Sequence, residues 1–150
     1  MRYFLDTEFN GFGGALISLA LVPEDGEEFY VTLAFDDAAL PWVQQNVVPF
    51  LDHVPVGLES ERLSRRDAAI ALSHYLEIDP EPIIVADWPE DIAQFCNLLM
   101  TGPGEMVPIP QLRFTLVPLA GFSTAANSAV PHNALHDARA LKDHLLGLEP

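Results

Sequence analysis

The chain is predicted to fold as an α/β domain with a mixed β-sheet flanked by helices, and three observations lead there. Three strand-like apolar segments at the amino end are joined by short turns, which favours an antiparallel meander. Helix-period segments then alternate with short apolar runs, the pattern that lays parallel strands beside the meander. A length of 150 residues with 49% hydrophobic residues supplies one real core, and no linker or repeat divides it, so residues 1–150 are read as one domain.

Arg2 to Glu8 reads as the first strand and Ala15 to Val22 as the second, joined by Asn10-Gly11-Phe12-Gly13-Gly14, which has a turn's backbone freedom. Pro23 to Gly26 makes the next turn, and Phe29 to Phe35 alternates as a third strand. Ala38 to His53 is helix-like, although Pro41 and Pro49 interrupt it. Ser60 to Leu76 is a helix with Ala69, Leu72 and Leu76 on one buried face. Pro82 to Ala86 is a short buried strand, followed by a helix over Pro89 to Met100 with proline in its first turn. Thr101 to Pro131 reads as irregular, with one strand at Leu112 to Val117, and the last helix spans about Asn133 to Leu148.

Lys and Arg total 7 against 22 Asp and Glu, a formal net charge of −15. That balance excludes a domain gripping long nucleic acids through a basic surface, but not an enzyme that reaches one nucleotide end through bound cations. Cys96 stands alone, which excludes an internal disulfide or a Cys-rich zinc site. The amino terminus lacks a signal-peptide core, and the longest apolar run, Ala15 to Val22, is strand-sized. The expectation is a soluble, cytoplasmic chain that does not engage a membrane.

The chemical signal lies in acids placed where the periodicity is apolar. Asp6 and Glu8 are two apart on a strand, so both leave the face that carries Phe4, roughly 7 Å apart. On the helix after Ile84, Asp91 shares the side of Phe95, Leu98 and Leu99, while Glu90, Gln94 and Asn97 point away. Asp87, at the end of the preceding strand, competes for the same role and has the alternative task of capping the helix. On the terminal helix, Asp137 heads the apolar stripe Leu141, Leu145, Leu148, a costly place for a carboxylate unless it is paired or metal-bound. His136 points to the opposite, solvated side. His132 lies five residues before Asp137, with Asn133 available to cap the helix. Each acid sits where a strand ends or a helix begins, and such termini converge at one edge of an α/β sheet.

Taken together, these segments resemble the DEDDh family of 3′-to-5′ exonucleases, which have a ribonuclease H-like fold. FLDTEF looks like the first family motif, with Asp6 and Glu8 as its acids. HNALHDA looks like the third, matching His132 and Asp137. IIVADWPEDIAQF occupies the place of the second, where Asp91 matches best but the segment departs from the commoner N-x-x-x-D form and leaves Asp87 open. The compact length and the early first motif look like the stand-alone exoribonuclease branch. The resemblance implies hydrolysis of RNA from its 3′ end, releasing nucleoside 5′-monophosphates. Asp6 would bridge two metal ions, Glu8 and Asp137 would hold the nucleophile-side ion, Asp91 would bind directly or through water, and His132 would act as general base. Two divalent ions roughly 4 Å apart suit this reaction, and four acids favour Mg²⁺, with Mn²⁺ as a substitute. Phe9 and Phe12, just past the first motif, are placed to stack on terminal bases.

Two such ions would still leave the molecule strongly negative, so short or single-stranded RNA 3′ ends are the expected partner, ahead of DNA. Arg62, Arg65 and Arg66 form the one basic cluster, and Glu61 stands four residues before Arg65 as for a helix-surface pair. A homodimer would assemble a longer groove, as in some relatives of this kind. The small residues of Gly121 to Pro131 suit a mobile loop that delivers His132. Two other readings use the same fold: a catalytically silent binding domain, favoured by the irregular second motif and opposed by the complete acid set, and a DNA proofreading exonuclease, which would need a segment that docks on a polymerase.

Overall fold

The computed structural model describes residues 1–149. Strands β1 (Arg2–Phe9), β2 (Leu16–Pro23) and β3 (Phe29–Thr32) form the expected antiparallel meander. Strand β4 (Ile83–Ala86) runs parallel to β1. A small hairpin, β5 (Met100–Gly102) with β6 (Glu105–Met106), precedes β7 (Arg113–Leu116), which runs parallel to β4. The main sheet has the order β3-β2-β1-β4-β7, a mixed sheet compatible with a ribonuclease H-like fold.

The helices are α1 (Pro41–Asn46), α2 (Arg65–Leu76), α3 (Pro89–Leu99), α4 (Thr124–Asn127) and α5 (Ala134–Gly147). The period of two in β1 assigns its side chains to two cores. Tyr3 and Leu5 pack with Leu72 and Leu76 of α2 and Phe95 and Leu98 of α3, whereas Phe4 packs with Leu141 of α5. Small residues let α5 approach closely: Ala20 and Val22 of β2 meet Ala134 and Ala138. Asp6 is paired with Ala20 across the β1–β2 ladder, so it emerges on the α5 side of the sheet.

Several expectations are corrected. The segment 38–53 is two pieces, α1 and a 3₁₀ turn at Val48–Phe50, because Pro49 has no N–H to continue a helix. Strand β3 ends at Thr32 and does not reach Phe35, because Leu33 turns away to bridge Leu63. Helix α2 starts at Arg65, five residues later than expected, because the Ser64 hydroxyl accepts the Asp67 N–H and closes the helix end there. Glu61 therefore lies outside the helix and does not pair with Arg65, whose guanidinium donates to the Asn97 carbonyl at 2.7 Å. The irregular stretch 101–131 contains the β5–β6 hairpin and α4 as well as the expected strand near 112–117. Among the described residues no helix is long and apolar enough to cross a membrane.

Candidate active site

The carboxyl ends of the parallel strands β1 and β4 open into a cleft of about 480 Å³, which α3, α5 and the segment before α5 complete. Asp6, Glu8, Asp87, Asp91, His132 and Asp137 all line it. The three elements that the sequence marked separately therefore deliver their polar groups to one place.

Strand β1 supplies Asp6 and Glu8 on the α5 side, and a bulge follows at Glu8/Phe9, where the pairing skips from Ser18 to Leu16. A bulge bends the strand and re-aims its last side chains. The chain must then turn sharply, and Gly14 is required there: a Cβ would stand 2.0 Å from the Asn10 carbonyl oxygen. Helix α3 holds this turn from its own first turns. Glu90 accepts the Gly13 N–H at 2.7 Å, and Gln94 donates to the Gly14 carbonyl at 3.0 Å. Gln94 is thus buried rather than pointing away as expected, because it tethers the turn.

Asp91 is buried in the first turn of α3. Its Oδ1 accepts both the Thr7 backbone N–H, at 3.1 Å, and the Thr7 hydroxyl, at 2.6 Å. Thr7 faces opposite to Asp6 and Glu8, toward α3, so this pair fixes the end of β1 to the first turn of α3 at the cleft. Asp87 stands half-buried beside Asp91 without such a partner in β1, and burial raises its pKa.

Asp137 lies in the first turn of α5, where Asn133 caps the helix by accepting the Leu135 and His136 N–H groups. Asn133 is fully buried and donates to the Phe50 carbonyl at 2.8 Å, which fixes the helix end to the 3₁₀ turn. His132 has a left-handed backbone, φ +61°, a conformation that costs a non-glycine residue about 1 kcal/mol and is found at functional sites. Its N–H donates to Asp137 Oδ2 at 3.2 Å, and its ring meets Trp42 edge-on with centroids 4.8 Å apart. Ligating atoms of Glu8, His132 and Asp137 all lie within 4.8 Å of one another. His136 is half-buried rather than solvated, and its Nε2 bonds the His53 carbonyl oxygen at 2.8 Å.

The electrostatics match this crowding. Burial, then the charges of Asp91, Glu8 and Asp137, push Asp6 well above the ordinary carboxylate range. Burial and the neighbouring Asp137 and Asp91 raise Glu8 to about 8. Burial raises Asp91 to about 7 against the opposing Thr7 hydrogen bonds, and burial raises Asp137. Asp6 Oδ2 and Asp137 Oδ1 are both buried without a hydrogen-bond partner. Oxygens left in that state call for a positive partner, and a cluster of hard carboxylate donors with one imidazole fits divalent cations such as Mg²⁺ or Mn²⁺.

Of the two phenylalanines singled out, Phe9 lines the cleft, whereas Phe12 is 99% exposed on the turn and outside it. Sequence reasoning missed Thr7, Trp42, Trp88 and Phe122, all of which line the cleft. Trp88 follows Asp87 at the end of a buried strand, a position that marks site residues in α/β sheets. Trp42 carried no comparable signal.

No protein-family model matches the chain. Among curated proteins, it is similar to the 3′-5′ exoribonuclease Rv2179c of Mycobacterium tuberculosis (strain ATCC 25618 / H37Rv) and the 3′-5′ exoribonuclease MT2234.1 of M. tuberculosis (strain CDC 1551 / Oshkosh). Identity to each is 37% over 122 residues, covering 77% of this chain and 70% of the relative. With that identity over most of both chains, this protein belongs to the family of these 3′-5′ exoribonucleases.

Proposed function

We propose that this protein is a metal-dependent 3′-5′ exoribonuclease of the DEDDh type, removing nucleoside 5′-monophosphates from the 3′ end of short or single-stranded RNA. The observation that carries the reading is the convergence of Asp6, Glu8, Asp91, Asp137 and His132 in one cleft, with two buried carboxylate oxygens lacking any partner. Asp6, Glu8, Asp91 and Asp137 would hold two divalent ions, Mg²⁺ first and Mn²⁺ as a substitute. When bound, these ions supply charge stabilisation at phosphorus and at the leaving oxygen.

The chain's own residues account for the rest. His132 takes a proton from the attacking water at a ring nitrogen, and its left-handed backbone and the edge of Trp42 orient the ring for that task. Water oxygen bonds to phosphorus, the bond from phosphorus to the penultimate O3′ breaks, and the shortened chain keeps that oxygen as its new 3′-hydroxyl. Thr7 fixes one oxygen of Asp91, and Asn133 fixes the helix end that carries Asp137. A silent binding domain has no physical reason to crowd four carboxylates, three of them buried, beside one another at the expense of raised pKa values.

Analysis of the products tests the reading. Single-stranded RNA incubated with the protein and Mg²⁺ should yield nucleoside 5′-monophosphates. Nucleoside 3′-monophosphates, or intact RNA in the presence of folded protein, would overturn it.

A further inference from the structure

We infer that the hollow beside Arg65 is a second binding site, which takes a backbone phosphate of the RNA upstream of the nucleotide being removed. This rests on the exoribonuclease reading of the cleft and adds where the rest of the substrate is held. Among the described residues no Lys or Arg lines the cleft, so a cationic side chain can reach the substrate only from outside it.

The hollow has a volume of about 560 Å³ and adjoins the cleft across a single ridge. The turn after β1 forms part of that ridge, with Gly11 on the cleft and Gly13 and Gly14 on the hollow. Helix α3 forms the rest, with Asp91 on the cleft and Gln94 and Asn97 on the hollow. The ridge is firm, because Glu90 and Gln94 hold the backbone of Gly13 and Gly14. The space above it is open, since a Cβ on Gly13 would meet nothing within 4 Å. The walls of the hollow carry one acid, Glu90, against five in the cleft, so an anion is opposed far less there.

Sheet pairing places Arg65 at the same end of the molecule as the cleft. Glu8 pairs with Ser18, Ser18 pairs with Thr32, and Leu33 bridges Leu63, two residues before α2 begins at Arg65. In a chain with 22 Asp and Glu against 7 Lys and Arg, an arginine without a carboxylate is the exception. Arg2, Arg62, Arg113 and Arg139 are held in ion pairs, whereas Arg65 and Arg66 have none among the described residues. The Asn97 carbonyl accepts one Arg65 N–H at 2.7 Å and anchors the guanidinium on the wall of the hollow. Its other N–H groups have no partner among the described residues, and a planar guanidinium with free donors matches phosphate oxygens. Arg66 is exposed beside it but lies outside the hollow, so it carries the same charge without the site.

The test uses this pair of arginines. The intact parent, Arg65→Ala and Arg66→Ala are assayed in Mg²⁺ on a diribonucleotide and on single-stranded RNA of about seven nucleotides. The only phosphodiester of the dinucleotide is the one cleaved in the cleft, so the longer RNA alone reaches the hollow. The ratio of kcat/KM for the longer RNA to that for the dinucleotide should fall about fivefold in Arg65→Ala, chiefly through KM, and stay within about twofold of the parent in Arg66→Ala. The longer RNA, labelled at its 5′ end and bound in Ca²⁺ in place of Mg²⁺, is followed by fluorescence anisotropy. Its Kd should be about fivefold higher in Arg65→Ala, with a salt slope smaller by about 0.7 on logarithmic axes, the share of one phosphate contact. An unchanged ratio in Arg65→Ala leaves Arg65 only a structural part and overturns the inference. An equal fall in both variants is a diffuse charge effect and overturns it too. If the parent hydrolyses neither RNA, the anisotropy decides. A Kd that depends on Arg65 upholds the site and overturns the exoribonuclease reading, whereas equal Kd values in the parent and Arg65→Ala overturn the inference.

Discussion

Thr7 donates twice to one oxygen of Asp91, through its backbone N–H at 3.1 Å and its hydroxyl at 2.6 Å, and so ties the strand bearing Asp6 and Glu8 to the first turn of α3. The two residues are 84 positions apart in the chain, and they meet on the side of the sheet that α3 covers. Replacing Thr7 with Val keeps the shape and removes the hydroxyl. Leaving a buried carboxylate with one donor fewer costs about 1–3 kcal/mol. Thr7→Val should lower kcat about tenfold while Thr7→Ser retains most activity, as measured by RNA shortening at saturating substrate. Equal kcat values in both variants and the parent would contradict the role.

The third acid is decided by substitution. Asp91→Asn should reduce kcat at least about a hundredfold, because a ligand-bearing charge at the reacting centre is lost. Asp87→Asn should cost less than about tenfold, since Asp87 has no comparable tie to β1. Single-turnover rates on the same RNA check the pair, and a reversed order would assign the role to Asp87.

Without divalent cations, stability should fall as pH rises from about 5.5 to about 8.5. Unfolded carboxylates titrate near about 4, whereas Glu8 and Asp91 in the folded chain reach about 8 and about 7, and Asp6 and Asp137 are raised too. In that interval the folded state binds more protons than the unfolded state, so the slope of unfolding free energy with pH is negative. The stabilising protonation is complete below about pH 4 and is lost as pH passes through about 7 to 8. Acids with lowered pKa, such as Glu24 and Asp52, work in the opposite sense, but their titration is complete before this window opens. Melting scans in EDTA should show the decline, saturating Mg²⁺ should remove most of it, and Asp6→Asn should flatten it. A Tm that rises across this range in EDTA would refute the account.

Asn133 closes α5 and binds the Phe50 carbonyl from full burial. Asn133→Ala should therefore destabilise the protein by about 2 kcal/mol, combining a lost cap with a lost buried hydrogen bond. Thermal unfolding should report a drop of about 4–8 °C for a chain of this size. Because His132 precedes this cap, its activity should fall further than the loss of folded protein alone explains.

Where the sequence was legible, a simple physical rule lay behind it. The period of two put Asp6 and Glu8 on one face, and the period of 3.6 put Asp91 and Asp137 on buried helix faces, and these polar residues among apolar neighbours are ones that line the cleft. Thr7 escaped because a threonine in a strand reads as an ordinary β-branched residue. Its signal was its place after Tyr3 and Leu5 on an apolar face. Trp42, Trp88 and Phe122 escaped because an aromatic residue marks a core as readily as a binding wall. Gln94 was misplaced because its helical wheel ignores the turn that α3 must hold. The β5–β6 hairpin and α4 are too short for periodicity to register, and the position of Pro49 alone divided what the pattern joined.

The most direct test of the cleft as a hydrolytic centre uses single-stranded RNA labelled at its 5′ end, incubated with Mg²⁺ and the parent protein, Asp6→Ala or His132→Ala, with a parallel EDTA reaction. The account predicts a ladder shortening one nucleotide at a time from the 3′ end with the parent protein, abolished by Asp6→Ala and by EDTA, and slowed at least about a hundredfold by His132→Ala. A ladder of equal rate in Asp6→Ala or in EDTA would contradict it.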